Sequence, residues 1–172
     1  MKTVYTCFTT DVLHEGHMNI IKEAKKYGRL IAGVMSDEAL VKFDRFPTIS
    51  FEMRKQMLEG IAEIDEIVDQ KSVSYRENLL KYRPDYVVHG DNWKDNEQKS
   101  VREEVIEILK EWGGTLIEVP YTRSEGVKRI DNRMREKLSM PEFRRKRLKQ
   151  LLQLRPIVKA LEVHSGITAL IA

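Results

Sequence analysis

The sequence has little that would tie it to a membrane or to an oxidising compartment. Cys7 is the single cysteine among 172 residues, so no intrachain disulfide is possible, and we expect a reducing, cytoplasmic location. No stretch is long and apolar enough to span a bilayer, and the first residues lack the apolar core and cleavage site of a signal peptide. Internal repeats and low-complexity tracts are also absent. We therefore expect no membrane partner.

An excess of charge of one sign is missing as well. Lysine and arginine total 30 and aspartate and glutamate total 27, so the formal net charge is only +3 although 33% of residues are charged. By itself this near balance argues neither for nor against binding to nucleic acid. With 41% hydrophobic residues, the length suits one domain with a real core plus an appendage.

Short apolar segments alternate with segments of helical periodicity. The predicted strands cover residues 2–8, 29–36, 65–69, 84–90 and 115–120. The predicted helices cover 17–28, 50–64, 75–83 and 98–114, with a polar loop through Phe46 and Pro47 before the second. Strands that are apolar on both faces and alternate with helices favour a parallel sheet covered on both sides. We predict an α/β fold: a Rossmann-like, doubly wound, parallel five-stranded sheet with helices on both faces, plus a C-terminal helical extension.

Three loops follow the first, fourth and fifth predicted strands, at residues 9–17, 90–94 and 121–129. In a doubly wound sheet, ligands bind at the carboxyl ends of the strands. We therefore expect these loops to open onto one crevice.

The first of these loops contains HEGH, with His14 and His17 three residues apart at the start of a helix. Three interpretations stay open: a metal site with His89 as third ligand, a pair of solvated histidines, and a phosphate site. For a phosphate site, Gly16 would permit close approach and the helix N-terminus would attract the anion. A polyphosphate beside the imidazoles would also favour their charged forms.

The segment TTDVLHEGHMNIIKEAKKYG resembles the cytidylyltransferase-like nucleotidyltransferases, of the glycerol-3-phosphate and choline-phosphate cytidylyltransferase type, whose signature is H-x-G-H. Counterparts of other family motifs follow in order: Lys42, Arg54, GDNW at 90–93 and RSEGVKR at 123–129. The resemblance covers roughly residues 1 to 138. It implies that a substrate oxyanion attacks the α-phosphorus of CTP and pyrophosphate leaves, with Mg²⁺ accompanying CTP, and it makes a homodimer plausible.

The resemblance also implies roles for individual residues. The implied catalytic residues are His14, His17, Lys42 and Arg123, with Arg45 as the alternative to Lys42. The implied nucleotide-binding residues are Thr9, Thr10, Asp11, Gly16, His89, Gly90, Asp91, Trp93, Glu125, Gly126 and Val127. The implied acceptor-binding residues are Arg54, Lys128 and Arg129, and no residue is predicted to ligate a metal. Structural alternatives are an Arg54 ion pair with Glu52 or Asp65, a Trp93 packed at the sheet edge, and a Cys7 in the core.

Two departures from the family pattern bear on activity. FTTD, with Phe8 and Thr10, stands where the family has G-T-F-D, and Lys128 and Arg129 replace the small hydroxyls that end its R-T-E-G-I-S-T motif. Two cations would attract phosphate by charge, but their bulk would also fill the site. A non-catalytic nucleotide-binding or regulatory module is therefore one alternative, and an ATP-dependent transferase is another.

After residue 139 the composition changes, and we predict a boundary between a nucleotidyltransferase domain, 1–139, and a second region, 140–172. EFRRKRLKQLLQL reads as a basic amphipathic linker helix, which we favour over a nucleic-acid arm. LLQLRPIVKALEVHSGITALIA is similar to the first strand and helix of the phosphoenolpyruvate mutase barrel. That similarity implies the front part of a fusion used in phosphonate biosynthesis. The acceptor would then be a small phosphonate such as 2-hydroxyethylphosphonate or 2-aminoethylphosphonate, with glycerol 3-phosphate and phosphocholine as alternatives.

Overall fold

A computed structural model describes the fold. The described residues are 1–9, 12–42, 45, 47–94, 98–120, 122, 125–126, 128–129, 132–133, 136 and 140–154. The chain divides into two compact units, Met1–Met134 and Arg135–Ala172, which are described separately.

The first unit is built on a five-stranded parallel sheet with the strand order β3-β2-β1-β4-β5. Its strands are β1 (Thr3–Phe8), β2 (Arg29–Met35), β3 (Glu66–Gln70), β4 (Tyr86–Gly90) and β5 (Thr115–Val119). Its helices are α1 (Glu15–Lys25), α2 (Asp37–Lys42), α3 (Phe51–Glu59), α4 (Arg76–Tyr82) and α5 (Lys99–Lys110), and a 3₁₀ helix covers Asp91–Trp93. The predicted α/β fold with a five-stranded parallel sheet is confirmed.

Helices cover both faces of the sheet because the central strands are apolar on both sides. One core cluster joins the odd-numbered β1 residues Tyr5 and Cys7 to α2, α4 and α5. The other joins the even-numbered residues Val4 and Phe8 to α1 and α3. Successive side chains of a strand point to opposite faces, so β1 serves both clusters.

The bounds of the predicted helices shift by up to a few residues, and two segments differ most from the structure. A short helix, α2, begins in the stretch predicted as a polar loop, because the Ser36 hydroxyl accepts a hydrogen bond from the Ala39 amide at 3.2 Å and caps the turn. Its residues Ala39, Leu40 and Val41 are buried. The burial could not be predicted from the sequence because charged residues stand on both sides of this short apolar stretch. The second predicted helix was too long, since α3 ends at Glu59 with Gly60 as its C-cap.

In the second unit, the described part includes the helix α6 (Pro141–Leu154). This is the helical extension that the sequence predicted, and Leu148 and Leu152 on it are exposed. The segment that resembles the mutase covers residues 151–172: residues 151–154 belong to the end of α6, and the rest lies outside the described residues. Among the described helices of the whole chain, none has both the length and the apolar character needed to cross a membrane.

Candidate active site

The sheet has a topological switch point between β1 and β4. These strands are neighbours, but β1 is followed by α1 on one face and β4 by α5 on the other. Their carboxyl ends therefore flank a crevice, which is where open α/β sheets bind ligands. Thr9 follows β1, and His89 and Gly90 end β4, so two of the predicted loops meet here.

His14 and His17 form the start of α1. His14 is the N-cap residue, and its Nδ1 accepts from the Gly16 amide at 3.1 Å. In return, Nδ1 of His17 accepts from the His14 amide at 3.4 Å, which completes a capping box. The two ring centroids lie 3.9 Å apart. The spacing of the motif thus follows from helix capping, with imidazoles in place of the usual hydroxyl and carboxyl groups.

Capping fixes the proton positions on both rings. A ring Nδ1 that accepts an amide hydrogen bond carries no proton, so the neutral imidazole carries its proton on Nε2. Burial, and to a lesser extent the neighbouring His14, lower the pKa of His17 to about 4. Phe8, which stands at one of the departures from the family pattern, contributes to this burial with its ring centroid 5.9 Å from that of His17. At neutral pH, His17 of the unliganded protein is therefore an uncharged Nε2–H donor.

The loop after β5 also reaches the start of α1. Asn19 donates a hydrogen bond to the Thr122 hydroxyl at 2.9 Å. A Cβ at Gly16 would lie 3.0 Å from Cε1 of His14 and 3.6 Å from Cβ of Thr122. A side chain at position 16 would therefore crowd the His14 ring, which explains why glycine stands between the two histidines.

Of the two candidate cations after β2, Arg45 contacts the loop after β1. Its guanidinium donates to the Thr9 hydroxyl at 3.2 Å, and its charge helps to lower the pKa of His89. Lys42 is the exposed last residue of α2, and no hydrogen bond or ion pair links it to the histidines in the described part of the chain. The geometry thus brings Arg45, rather than Lys42, to the crevice.

Arg54 is almost fully buried, with 2% of its surface exposed. It donates to the Met35 carbonyl at 2.7 Å and to the Asp37 carboxylate at 2.5 Å. The ion pair predicted with Glu52 or Asp65 is wrong, because Asp37 lies at the end of β2 where the Arg54 side chain enters. Nε of Arg54 is buried and has no hydrogen-bond partner among the described residues. That orphan donor, beside the carboxyl end of β2, is compatible with binding an anion.

At the end of β4, His89 and Trp93 stack on each other. The ring centroids are 3.7 Å apart and the planes differ by 11°. Nδ1 of His89 lies 2.8 Å from the Gly90 carbonyl, which only accepts, so this nitrogen carries the proton. Burial is the main cause that lowers the pKa of His89. Asp91 and Gly90 flank the stack at the start of the 3₁₀ helix.

A charged cluster that the sequence did not predict holds Trp93. Its indole donates to the Glu118 carboxylate at 2.9 Å, and Arg102 donates to both oxygens of that carboxylate at 2.8 and 3.0 Å. Lys94 completes the cluster 3.2 Å from Glu118. Hydrogen bonds, above all from Arg102, lower the pKa of Glu118 to about 2. The available signal was a single carboxylate within the apolar strand TLIEV.

The remaining predicted residues are only partly described. Thr10, Asp11, Arg123 and Val127 lie outside the described residues. Lys128 forms an ion pair with Glu125 at 2.7 Å, and Gly126 and Arg129 are exposed. Cys7 is buried in the core as expected, and burial raises the pKa of its thiol to about 12. Within the described ranges, no three histidine, cysteine or acidic side chains are grouped to hold a metal ion.

Comparison with known proteins agrees with this geometry. The profile of the family described as Cytidylyltransferase-like matches residues 5–146. The chain is 32% identical to glycerol-3-phosphate cytidylyltransferase of Bacillus subtilis (strain 168) over 96 residues, which cover 55% of this chain and 74% of that protein. It is 30% identical to ethanolamine-phosphate cytidylyltransferase of Arabidopsis thaliana over 92 residues, 50% of this chain and 21% of that protein.

Solved structures support the fold independently. The lipopolysaccharide core biosynthesis protein from Thermoplasma volcanium superposes with a TM-score of 0.59 at 20% identity, covering 73% of this chain and 99% of that one. Pantoate-beta-alanine ligase from Francisella tularensis superposes with a TM-score of 0.51 at 13% identity, covering 72% and 60%. The family profile, the curated relatives and the paired histidines at the switch point agree: the chain belongs to the cytidylyltransferase-like family of nucleotidyltransferases.

Proposed function

We propose that the chain transfers CMP from CTP to a small phosphate monoester or phosphonate and releases pyrophosphate. The observation that carries this proposal is the pair of capping histidines, whose Nδ1 atoms accept amide hydrogen bonds so that Nε2 carries the proton, at a helix N-terminus in the crevice. Such a site suits the phosphates of a nucleotide. The membership of the family supplies the class of reaction.

In the proposed step, an anionic oxygen of the acceptor attacks the α-phosphorus of CTP. A phosphorus–oxygen bond forms there, the bond to the bridging oxygen breaks, and pyrophosphate leaves with that oxygen. The enzyme need only position the reactants and stabilise the growing charge. His14 and His17 would donate to phosphate oxygens from Nε2, and Arg45 would neutralise charge from the side of Thr9.

In this proposal, a divalent metal ion enters the site bound to CTP. No group of three potential protein ligands is found among the described residues, so a Mg²⁺ ion would be held mainly by phosphate oxygens. When bound, it would neutralise part of the triphosphate charge. The residues proposed here act directly on the nucleotide.

Arg54 is the strongest candidate for binding the acceptor. Its guanidinium is buried, and Nε has no partner in the described structure. An anionic oxygen would satisfy this donor, as a buried polar group requires. A phosphate monoester and a phosphonate offer nearly the same oxygens. We favour a phosphonate only because the sequence of residues 151–172 resembles the start of a phosphoenolpyruvate mutase.

The wider organisation is also a proposal. We infer a transferase domain at 1–139 and, at 140–172, a linker helix with the start of a mutase-like barrel. Further roles in nucleotide binding for Thr10, Asp11, Glu125, Gly126 and Val127, a catalytic role for Arg123, and acceptor contacts from Lys128 and Arg129 rest on the family pattern. A homodimer in the cytoplasm likewise remains a prediction.

Pyrophosphate release tests the proposal. CTP is supplied with 2-hydroxyethylphosphonate, 2-aminoethylphosphonate, phosphocholine or glycerol 3-phosphate. The variants His14→Asn and His17→Gln keep side chains that suit the N-cap and N3 positions but remove the imidazole donors. We expect one acceptor to support release in the wild type, and each variant to lower the rate by about 100-fold or more.

The matched control is Glu15→Gln, an exposed change in the same turn, which should leave the rate nearly unchanged. Arg45→Ala should be slower than Lys42→Ala if Arg45 is the functional cation. Binding of CTP without release on any acceptor would contradict a transferase and favour the non-catalytic module. A preference for ATP over CTP would instead favour the adenylyltransferase alternative.

A further inference from the structure

His89 presents an unused hydrogen-bond acceptor near the proposed nucleotide site. It is the second-to-last residue of β4, the strand beside β1 at the switch point. Val87, two residues earlier on β4, pairs with Tyr5 of β1, so His89 lies toward the carboxyl ends of both strands, where the loop after β1 begins. The ring is therefore near the loop that leads into the paired histidines.

The tautomer of His89 is opposite to that of the paired histidines. Nδ1 donates to the Gly90 carbonyl at 2.8 Å, so Nε2 of the neutral ring has a free lone pair. Burial lowers the pKa of the ring, which favours this neutral form. Within the described residues, no group donates to Nε2. His14 and His17 thus offer donors, whereas His89 offers an acceptor.

Packing and hydrogen bonds around Trp93 fix the position of the His89 ring. Trp93 is 1% exposed and stacks on it at a centroid distance of 3.7 Å. Glu118 accepts a hydrogen bond from the indole of Trp93, and Arg102 donates to both oxygens of the Glu118 carboxylate. A half-buried acceptor held this rigidly loses little entropy when a ligand donates to it.

We propose that Nε2 of His89 accepts a hydrogen bond from the nucleoside half of CTP and thereby selects the nucleotide. This inference rests on the proposed function. The phosphates provide only acceptors, so the donor must come from the base or the sugar. The two sources are the exocyclic amino group of cytosine and a ribose hydroxyl. Glu118 is then a positioning residue, which acts through Trp93 and His89 without touching the ligand.

The experiment measures equilibrium binding of CTP, UTP, 2′-deoxy-CTP and 3′-deoxy-CTP by calorimetry, so that it does not depend on turnover. The variants are His89→Leu, which removes the acceptor, and His89→Gln, whose amide oxygen can replace Nε2. We expect His89→Leu to weaken CTP binding about 10-fold and His89→Gln to recover most of the loss. Thermal unfolding of each variant checks that it is folded.

The nucleotide panel separates the two donors. If the amino group is the donor, preference for CTP over UTP falls in His89→Leu by the factor that CTP binding loses. If a hydroxyl is the donor, preference for CTP over one deoxy-nucleotide falls instead. Unchanged selectivity in folded His89→Leu overturns the proposal, as does a wild type that binds none of the four nucleotides. CTP binding with His89-dependent selectivity but no pyrophosphate release would overturn the proposed function alone.

A double variant tests the role of Glu118. Glu118→Ala should weaken CTP binding in the wild type but change it little in His89→Leu, because its effect passes through the His89 ring. Tryptophan fluorescence should report the altered environment of Trp93, with Trp112→Phe as background to remove the second indole. Equal losses from Glu118→Ala in both backgrounds would show that Glu118 does not act through His89.

Discussion

At the scale of single residues, the two histidines of HEGH stabilise the start of α1 with their Nδ1 atoms and carry their donor protons on Nε2. The sequence predicted their place at a helix start and the neighbouring glycine. It did not predict the capping box, because imidazole is an unusual capping group. Nor did it predict that burial lowers the pKa of His17, since the contact with Phe8 becomes visible only in the folded chain.

The lowered pKa of His17 predicts that stability falls in mild acid. The pKa of the ring is about 4 in the folded protein against an ordinary histidine value of 6.5, so the unfolded chain binds the proton first. The contribution is complete above pH 6.5 and is lost as the pH falls toward 4. Between pH 7 and 5, we expect the wild type to lose about 2 kcal/mol more than His17→Gln in the free energy of unfolding.

Urea denaturation at both pH values measures this difference. His89 titrates in both proteins, so its contribution cancels in the comparison. An equal pH dependence for the two proteins would show that His17 is not held neutral by the fold.

At the scale of elements, the strands and most helices could be predicted because hydrophobic periodicity reports burial. α2 could not, because six residues are too few to show a helical period. The cluster of Glu118, Arg102 and Trp93 was missed for another reason: its members are distant in sequence and meet only when β4 pairs with β5. To predict these contacts, one must know which strands pair, and strand pairing cannot be read from a single sequence.

Gly33 in β2 provides a test of packing between elements. A Cβ at this position would overlap the Tyr5 hydroxyl and lie 2.9 Å from Cζ of that ring. That hydroxyl donates to Gln70 at 2.6 Å and accepts from Asn78 at 2.9 Å, so displacing it would break a buried network. We expect Gly33→Ala to lower the free energy of unfolding by on the order of 3 kcal/mol.

Gly60→Ala is the matched control for this change. A Cβ at Gly60 would meet only the Met57 carbonyl, at 3.7 Å, and the backbone there is in the ordinary helical region. The change should alter stability by less than about 0.5 kcal/mol. A similar result for both alanine variants, measured by urea denaturation, would contradict the packing argument.

At the scale of the whole sheet, stability should be greatest at its centre. β1 pairs with strands on both sides and its residues from Val4 to Phe8 are all buried. Among the described strands, β5 pairs on one side only, and none of its five residues is fully buried. The sequence predicted five parallel strands but not their order, which depends on crossovers that periodicity does not encode.

Native-state hydrogen exchange tests this gradient. Amide protons of Val4 and Tyr5 should exchange only through global unfolding, whereas those of Leu116 and Ile117 should exchange through smaller openings. Their apparent opening free energies should respond differently to low concentrations of urea. Exchange of β5 at the global rate would mean that the sheet opens as a single unit.

The double use of the HEGH histidines has a consequence for how such sequences evolve. In a lineage that no longer required catalysis, replacing either histidine by a residue that cannot cap the helix would still lower stability, because each ring takes part in the capping box. Selection for a folded chain alone would slow the decay of the motif. In a lineage that has lost the activity, residues that contact the ligand without supporting the fold should therefore be substituted before the two histidines.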